Sequence, residues 1–328
     1  MEIIIRPGKN FFANIQIVFA LTFLILGEIF LFGEKEPWVS WFYPVAWWSY
    51  IFLIDGIIFR LQGNSLILSR TRELGIMIPW SVSFWLFFEL INLRLKNWHY
   101  INVVDNLSLR WIGYFISFGT VLPGIFETYE FLNCQRIFSN AKTRPLTISP
   151  RYFTGFYLIG IMGIVFPLTF PKYCFPLIWL ALIFLLEPIN YRYGSPSLLR
   201  DFEEGNFRRL LLLLTAGLIC GFLWEFWNFW AKCKWAYTIP FFHKFKIFEM
   251  PLAGFLGFPP FAIEAFVFYN FISLFRFKRN WDKENYRRCP DKTIPPYLKV
   301  ILIIGFLLFW GLCFHYLDLC TVKSFSSD

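Results

Sequence analysis

Apolar stretches of about 18–23 residues recur along the chain, separated by short polar segments rich in Lys, Arg, Gly and Pro. A helix rising 1.5 Å per residue needs roughly 20 such residues to cross a hydrocarbon layer about 30 Å thick. The pattern predicts spans near 13–33, 39–59, 75–93, 111–133, 153–170, 173–190, 210–231, 250–273 and 298–317. Lipid offers no partner to a backbone N–H or C=O group, so these stretches are expected to be helices. The shorter alternating segments of a transmembrane β-barrel are missing. The expected fold is therefore all-α, a polytopic transmembrane helix bundle of about nine spans. The first stretch reads as a retained span and not a signal peptide, because no small-residue cleavage site follows it and Glu28 interrupts its end.

Composition agrees with this class. Hydrophobic residues make up 57% of the 328 positions and charged residues only 16%. A soluble domain of this length is nearer half apolar and a quarter charged. The formal charge of +9 sits in the loops, so it reads as a topology signal and not as a nucleic-acid footprint. Roughly two thirds of the 31 Lys and Arg residues fall at the N-terminus and in the loops after spans 2, 4, 6 and 8. The positive-inside rule makes that face cytoplasmic, with the N-terminus inside and the C-terminus outside. The strongest anchor is the run Arg276, Lys278, Arg279, Lys283, Arg287, Arg288 and Lys292, which also suits anionic lipid.

An internal repeat organises the chain. Tyr43-Pro44-Val45-Ala46-Trp47 matches Phe175-Pro176-Leu177-Ile178-Trp179 at an offset of 132 residues, as do Asp55 with Glu187, Arg60 with Arg192, and Ser65-Leu66 with Ser197-Leu198. After small insertions, Phe88-Glu89-Leu90-Ile91-Asn92 matches Trp224-Glu225-Phe226-Trp227-Asn228. Trp98 then matches Trp235, Tyr100 matches Tyr237, Pro123 matches Pro260, Glu127 matches Glu264 and Asn133 matches Asn270. The expected organisation is two tandem four-helix units in parallel orientation, residues 1–140 and 141–275. A basic loop and a ninth span follow over 276–328.

Carboxylates inside spans are costly and normally face a partner or a cavity. Asp55 and Glu187 lie five residues before Arg60 and Arg192, which predicts ion pairs. Glu127 and Glu264 follow prolines by four residues, where a protonated carboxyl meets the freed carbonyl or bridges helices. Glu89 and Asn92, like Glu225 and Asn228, share a helical face. Trp224 and Trp227 flank the second of these faces. Glu225, Asn228 and Glu264 are the candidate catalytic residues. Trp224, Trp227, Trp235, Tyr237, Glu249, Glu89, Asn92 and Glu127 are the candidate substrate-binding residues. Glu249 is alternatively a cap on the eighth span, where a negative charge is favoured.

The seven Cys and the three His (His99, His243, His315) have no metal or haem spacing, and no cofactor is assigned. Neither a phosphate loop, a dinucleotide fingerprint nor HExxH occurs. A buried acid ringed by indole faces suits protonation of an olefin and shelter of the resulting cation. In these tandem helical repeats and membrane carboxylates the chain resembles membrane-embedded carotenoid and lycopene cyclases, although their repeat units have three spans where this chain has four. That resemblance implies an acid-catalysed reaction on an isoprenoid-like or lipid substrate. The segments from Glu225 to Asn228 and from Glu249 to Glu264 resemble those of uncharacterised bacterial membrane proteins, which implies a bacterial cytoplasmic membrane and no particular activity. Two other readings are a non-catalytic subunit that binds lipid, pigment or quinone beside membrane-protein partners, and a proton-coupled transporter.

Overall fold

The computed structural model describes residues 7–241, 245–290 and 295–324. His243 and Lys292 lie outside them. Among the described residues nine helices are long and apolar enough to cross a membrane: α1 (Asn10–Phe32), α2 (Trp38–Gln62), α3 (Thr71–Leu95), α4 (Leu107–Cys134), α5 (Pro150–Thr169), α6 (Pro171–Tyr193), α7 (Arg208–Trp230), α8 (Leu252–Leu274) and α9 (Pro296–Cys320). Each predicted span falls on one of them. The protein is an integral membrane helix bundle.

Residues that limit a helix act where physical chemistry expects. Gly63 and Gly194 take the left-handed conformation that closes α2 and α6, which glycine adopts without a Cβ penalty. Pro123 lacks an N–H, and α4 is broken just before it, at Gly119 and Thr120. The Ser81 hydroxyl of α3 mends that break, donating to the Phe118 carbonyl at 2.7 Å and accepting from the Leu122 N–H at 3.0 Å. A tight turn over Leu252–Gly257 likewise opens α8 ahead of Pro259 and Pro260.

Helix packing follows one order twice. α1 packs on α2, α2 on α4 and α4 on α3. Likewise α5 packs on α6, α6 on α8 and α8 on α7. The two sets meet chiefly through α4 and α7, and α9 adds itself against α3. α7 and α8 come very close: a Cβ on Gly217 would stand 2.4 Å from the Phe258 carbonyl oxygen. The outward faces of α1, α5 and α9 expose large apolar side chains such as Phe19, Ile161 and Leu308, as lipid contact requires.

Matched polar residues make matched bonds at the end of the bundle that holds the basic loops. Asp55 accepts from the Ser65 hydroxyl at 3.0 Å and the Ile67 N–H at 2.6 Å. Glu187 accepts from the Ser197 hydroxyl at 2.6 Å and the Leu199 N–H at 2.9 Å. The ion pairs expected with Arg60 and Arg192 do not form this way. Arg60 is exposed, and Arg192 lies over the Phe153 ring. A short loop that folds back over the helix end supplies neutral donors to each carboxyl instead, without burying a guanidinium. Where arginines meet buried carboxylates, they reach across the sequence. Arg70 meets Glu130 at 2.7 Å, and Arg276 meets Glu73 at 2.5 Å while Tyr269 donates to the same carboxylate.

Candidate functional site

The opposite end of the bundle carries the fold's principal departure from pure helix. Strand β1 (Trp98–Ile101) follows α3, and strand β2 (Lys234–Tyr237) follows α7. They pair antiparallel, with Trp98 opposite Tyr237 and Tyr100 opposite Trp235. Residues two apart on a strand share a face, and so do directly paired residues. All four rings therefore lie on one face of the ribbon.

The helix preceding each strand holds that strand in place. Asn92 donates to the Trp98 carbonyl at 2.9 Å and accepts from the Asn97 N–H at 2.8 Å and the Trp98 N–H at 3.4 Å. Asn228 donates to the Trp235 carbonyl at 2.9 Å and accepts from its N–H at 3.0 Å. Three residues earlier on the same face, Glu89 accepts from the Tyr100 hydroxyl at 2.5 Å and from the indole N–H groups of Trp85 and Trp98 at 2.9 and 3.0 Å. Glu225 accepts from the Tyr237 hydroxyl at 2.7 Å. Amide and carboxylate thus divide the work: Asn fixes the strand backbone, and Glu fixes the ring tips. Both Glu side chains are fully buried. Burial first, and then the neighbouring carboxylate, push the Tyr100 and Tyr237 phenols well above their usual range, so both hydroxyls stay protonated and donate.

Under the ribbon lies a cavity of about 190 Å³. Its wall includes Trp85, Trp98, Tyr100 and Tyr114 from the first half of the chain and Trp179, Trp224, Trp235 and Tyr237 from the second. Trp41, Tyr43, Phe258 and Phe261 add further rings. Gly113 and Met250 face the same space. Two cations reach the wall, each already engaged. Arg110 pairs with Asp318 of α9 at 2.8 Å, and Lys234 pairs with Glu249 at 2.7 Å. Asp318 also accepts from Trp111 and Tyr114, at 2.9 Å each.

Of the residues singled out in the sequence, Trp224, Trp235 and Tyr237 line the cavity. Glu225, Glu89, Asn228 and Asn92 stand one layer behind, bonded to its wall. Trp227 is buried against Trp47, with ring centroids 5.1 Å apart, and against Tyr50. Glu249 does not cap α8, whose opening turn is preceded by Pro251; the Lys234 ammonium draws it to the ribbon. Glu264 and Glu127 are away from the cavity. Glu264 accepts from the Leu182 N–H at 3.0 Å, between α6 and α8. Glu127 is buried beside Asp55. Sequence reasoning missed Trp85, Trp179, Tyr114 and the Arg110–Asp318 pair. Charges of opposite sign near the ends of two apolar spans were the available signal for that pair.

Comparison with protein-family models, curated proteins and solved structures gives no match.

Proposed function

We propose that the chain binds one end of an isoprenoid-like or lipid molecule in the aromatic cavity between its two halves. The single observation that carries this reading is the wall: rings from both halves surround one space, and buried Glu and Asn side chains lock them there. Such a cavity is smaller than the roughly 300 Å³ and upward of ordinary small-molecule pockets. It therefore takes the tip of a ligand whose remainder lies along the bundle in lipid. The two halves are copies of one four-helix unit in this reading, which is why the wall is built from matched Trp and Tyr residues. By the distribution of Lys and Arg, the cavity end is the outer one.

The test is to purify the full chain from membrane in a maltoside detergent, extract it and analyse the extract by mass spectrometry. A stoichiometric lipid or isoprenoid that is displaced when the cavity is filled is the expected result. An extract matching the bulk membrane lipids, unchanged by filling the cavity, overturns the reading. Equimolar partner chains would point instead to a subunit of a larger assembly.

A second reading is favoured by one specific observation. Glu89 Oε2 and Glu225 Oε2 are buried without hydrogen-bond partners, so each carboxyl keeps an oxygen able to carry a proton. Acid catalysis on an olefin would then run through the tyrosine. With the hydroxyl turned from Glu225 toward the olefin, a C–H bond forms as the Tyr237 O–H breaks and the Glu225 O–H proton passes to the phenol oxygen; the aromatic faces shelter the cation until an adjacent C–H returns its proton along the same path and restores the Glu225 acid. Cyclised or isomerised product lost on Glu225→Gln, with insertion intact, is the outcome that supports it; unchanged turnover is the one that sinks it.

A further inference from the structure

The charge distribution around the cavity narrows the ligand further; the argument rests on the binding reading above. The groups that hydrogen-bond to Glu89 are Trp85, Trp98 and Tyr100, and the one that holds Glu225 is Tyr237. All are neutral, and all four line the cavity. Other acids in the bundle find different partners: Glu73, Glu130 and Asp318 each meet an arginine, and Asp55, Glu187 and Glu264 accept from hydroxyl or backbone donors away from the cavity. Glu89 and Glu225 alone among these are held by rings of the cavity wall, which puts an ionisable carboxyl just behind the shell of rings.

The same bonds act on the rings themselves. A phenol or indole that donates to a carboxylate is polarised toward its deprotonated form, and hydrogen-bonded chains of this kind reinforce one another. The ring face becomes more electron-rich, and its attraction for a cation grows. Meanwhile the cationic side chains on the wall, Arg110 and Lys234, are each held by their own carboxylate. The cavity is thus an aromatic box with acidic groups behind its walls and, among the described residues, no unengaged cation inside.

A primary ammonium would bring three N–H donors that need acceptors, and the wall here is mostly ring carbon. A quaternary ammonium has no N–H and a low cost of desolvation, so it suits a box of faces. We infer that the aromatic cavity under the β1–β2 ribbon binds a quaternary ammonium group, presented by a lipid headgroup or by a free small molecule, with the Glu89- and Glu225-anchored rings as its recognition surface.

The test uses the full chain in a maltoside detergent and reads tryptophan fluorescence. Choline and tetramethylammonium are titrated beside 3,3-dimethylbutanol, the uncharged carbon isostere of choline. The expected result is choline binding roughly ten- to thirtyfold tighter than the isostere. Equal affinities overturn the inference while leaving an apolar binding cavity in place; no binding of either compound overturns both. Nanodiscs then separate the two sources. Weaker apparent choline binding in phosphatidylcholine than in phosphatidylglycerol assigns the site to a lipid headgroup, and equal binding in the two assigns it to a free solute. Glu89→Gln and Glu225→Gln keep a hydrogen-bond acceptor but remove the charge. Each is expected to cut the preference for choline over the isostere several-fold without weakening the isostere. Loss of both ligands in parallel would mean that these residues only support the fold.

Discussion

Trp98 lies directly across the ribbon from Tyr237, and Tyr100 lies across from Trp235. Each Trp-x-Tyr segment therefore pairs antiparallel with the other, in the self-complementary manner of a two-fold contact. The hydrogen bonds to Asn92 and Asn228 on one side, and to Glu89 and Glu225 on the other, make this a fixed arrangement of rings and not a loose aromatic cluster.

The bond between Tyr237 and Glu225 should behave as a coupled unit. Glu225→Leu leaves a buried hydroxyl without its acceptor, and Tyr237→Phe leaves a carboxyl without its donor, each at a cost of about 1–3 kcal/mol. Thermal unfolding in detergent should show the double variant to be less destabilised than the sum of the two. Additive losses would mean that the two side chains do not depend on each other.

Filling the cavity should abolish ligand retention without damaging the fold. A Cβ on Gly113 would meet only Trp41, at 4.0 Å, so Gly113→Phe projects into open space that Met250 partly fills from the other half. We expect a melting temperature within a few degrees of the parent and loss of the co-purified lipid by mass spectrometry. Undiminished lipid would place the ligand elsewhere.

The close approach of α7 and α8 should be intolerant of a single methyl. Gly217→Ala places its Cβ 2.4 Å from a carbonyl oxygen, and relief requires the helices to separate, at about 1–3 kcal/mol. Gly75 has nothing within 4 Å of its Cβ position, so Gly75→Ala should gain up to about 1 kcal/mol from helix propensity. A melting comparison of the two variants checks both signs.

Arg276→Met strands the Glu73 carboxylate, which is fully buried. Breaking a buried pair from one side costs about 3–5 kcal/mol. Adding Glu73→Leu removes the stranded charge, and most of the lost stability should return. If the double variant melts as low as the single one, the cost lies in packing and not in charge.

Orientation is testable with reporters. Alkaline phosphatase fused at the C-terminus should be active, and green fluorescent protein at the same site dark, as the positive-inside rule expects from the basic loops at the other end. The reverse pattern would put the cavity on the cytoplasmic side.

The nine spans were legible because length and hydropathy alone decide which segments enter lipid. Residues such as Glu225, Asn228, Trp235 and Tyr237 stood out because polar groups and matched spacings are rare in an apolar chain. Their partners were not legible. The ribbon consists of four-residue strands whose pairing spans more than 130 residues of sequence, and such strands exist only through that pairing, so local pattern carries no trace of them. Asp55 and Glu187 misled for a related reason. Five residues separate each from an arginine along the helix, yet the chain turns back and offers nearer donors at Ser65 and Ser197. Trp85 and Trp179 were lost among many similar rings, since nothing local distinguishes a wall residue from core.

The ninth helix does more than lengthen the chain. The residues that follow it run beside β1, where the Tyr100 N–H donates to the Thr321 carbonyl at 2.8 Å and the Lys323 N–H donates to the Tyr100 carbonyl at 2.9 Å. Among the described residues β2 gains no equivalent neighbour. Two identical subunits meeting across a ribbon would be bound to identical surroundings. A single chain with one latched strand is not: the Glu89 side, with its three aromatic donors, is pinned, while the Glu225 side has fewer ties and is free to specialise. That asymmetry gives the cavity a front and a back, so a ligand of the proposed kind would have one preferred way round.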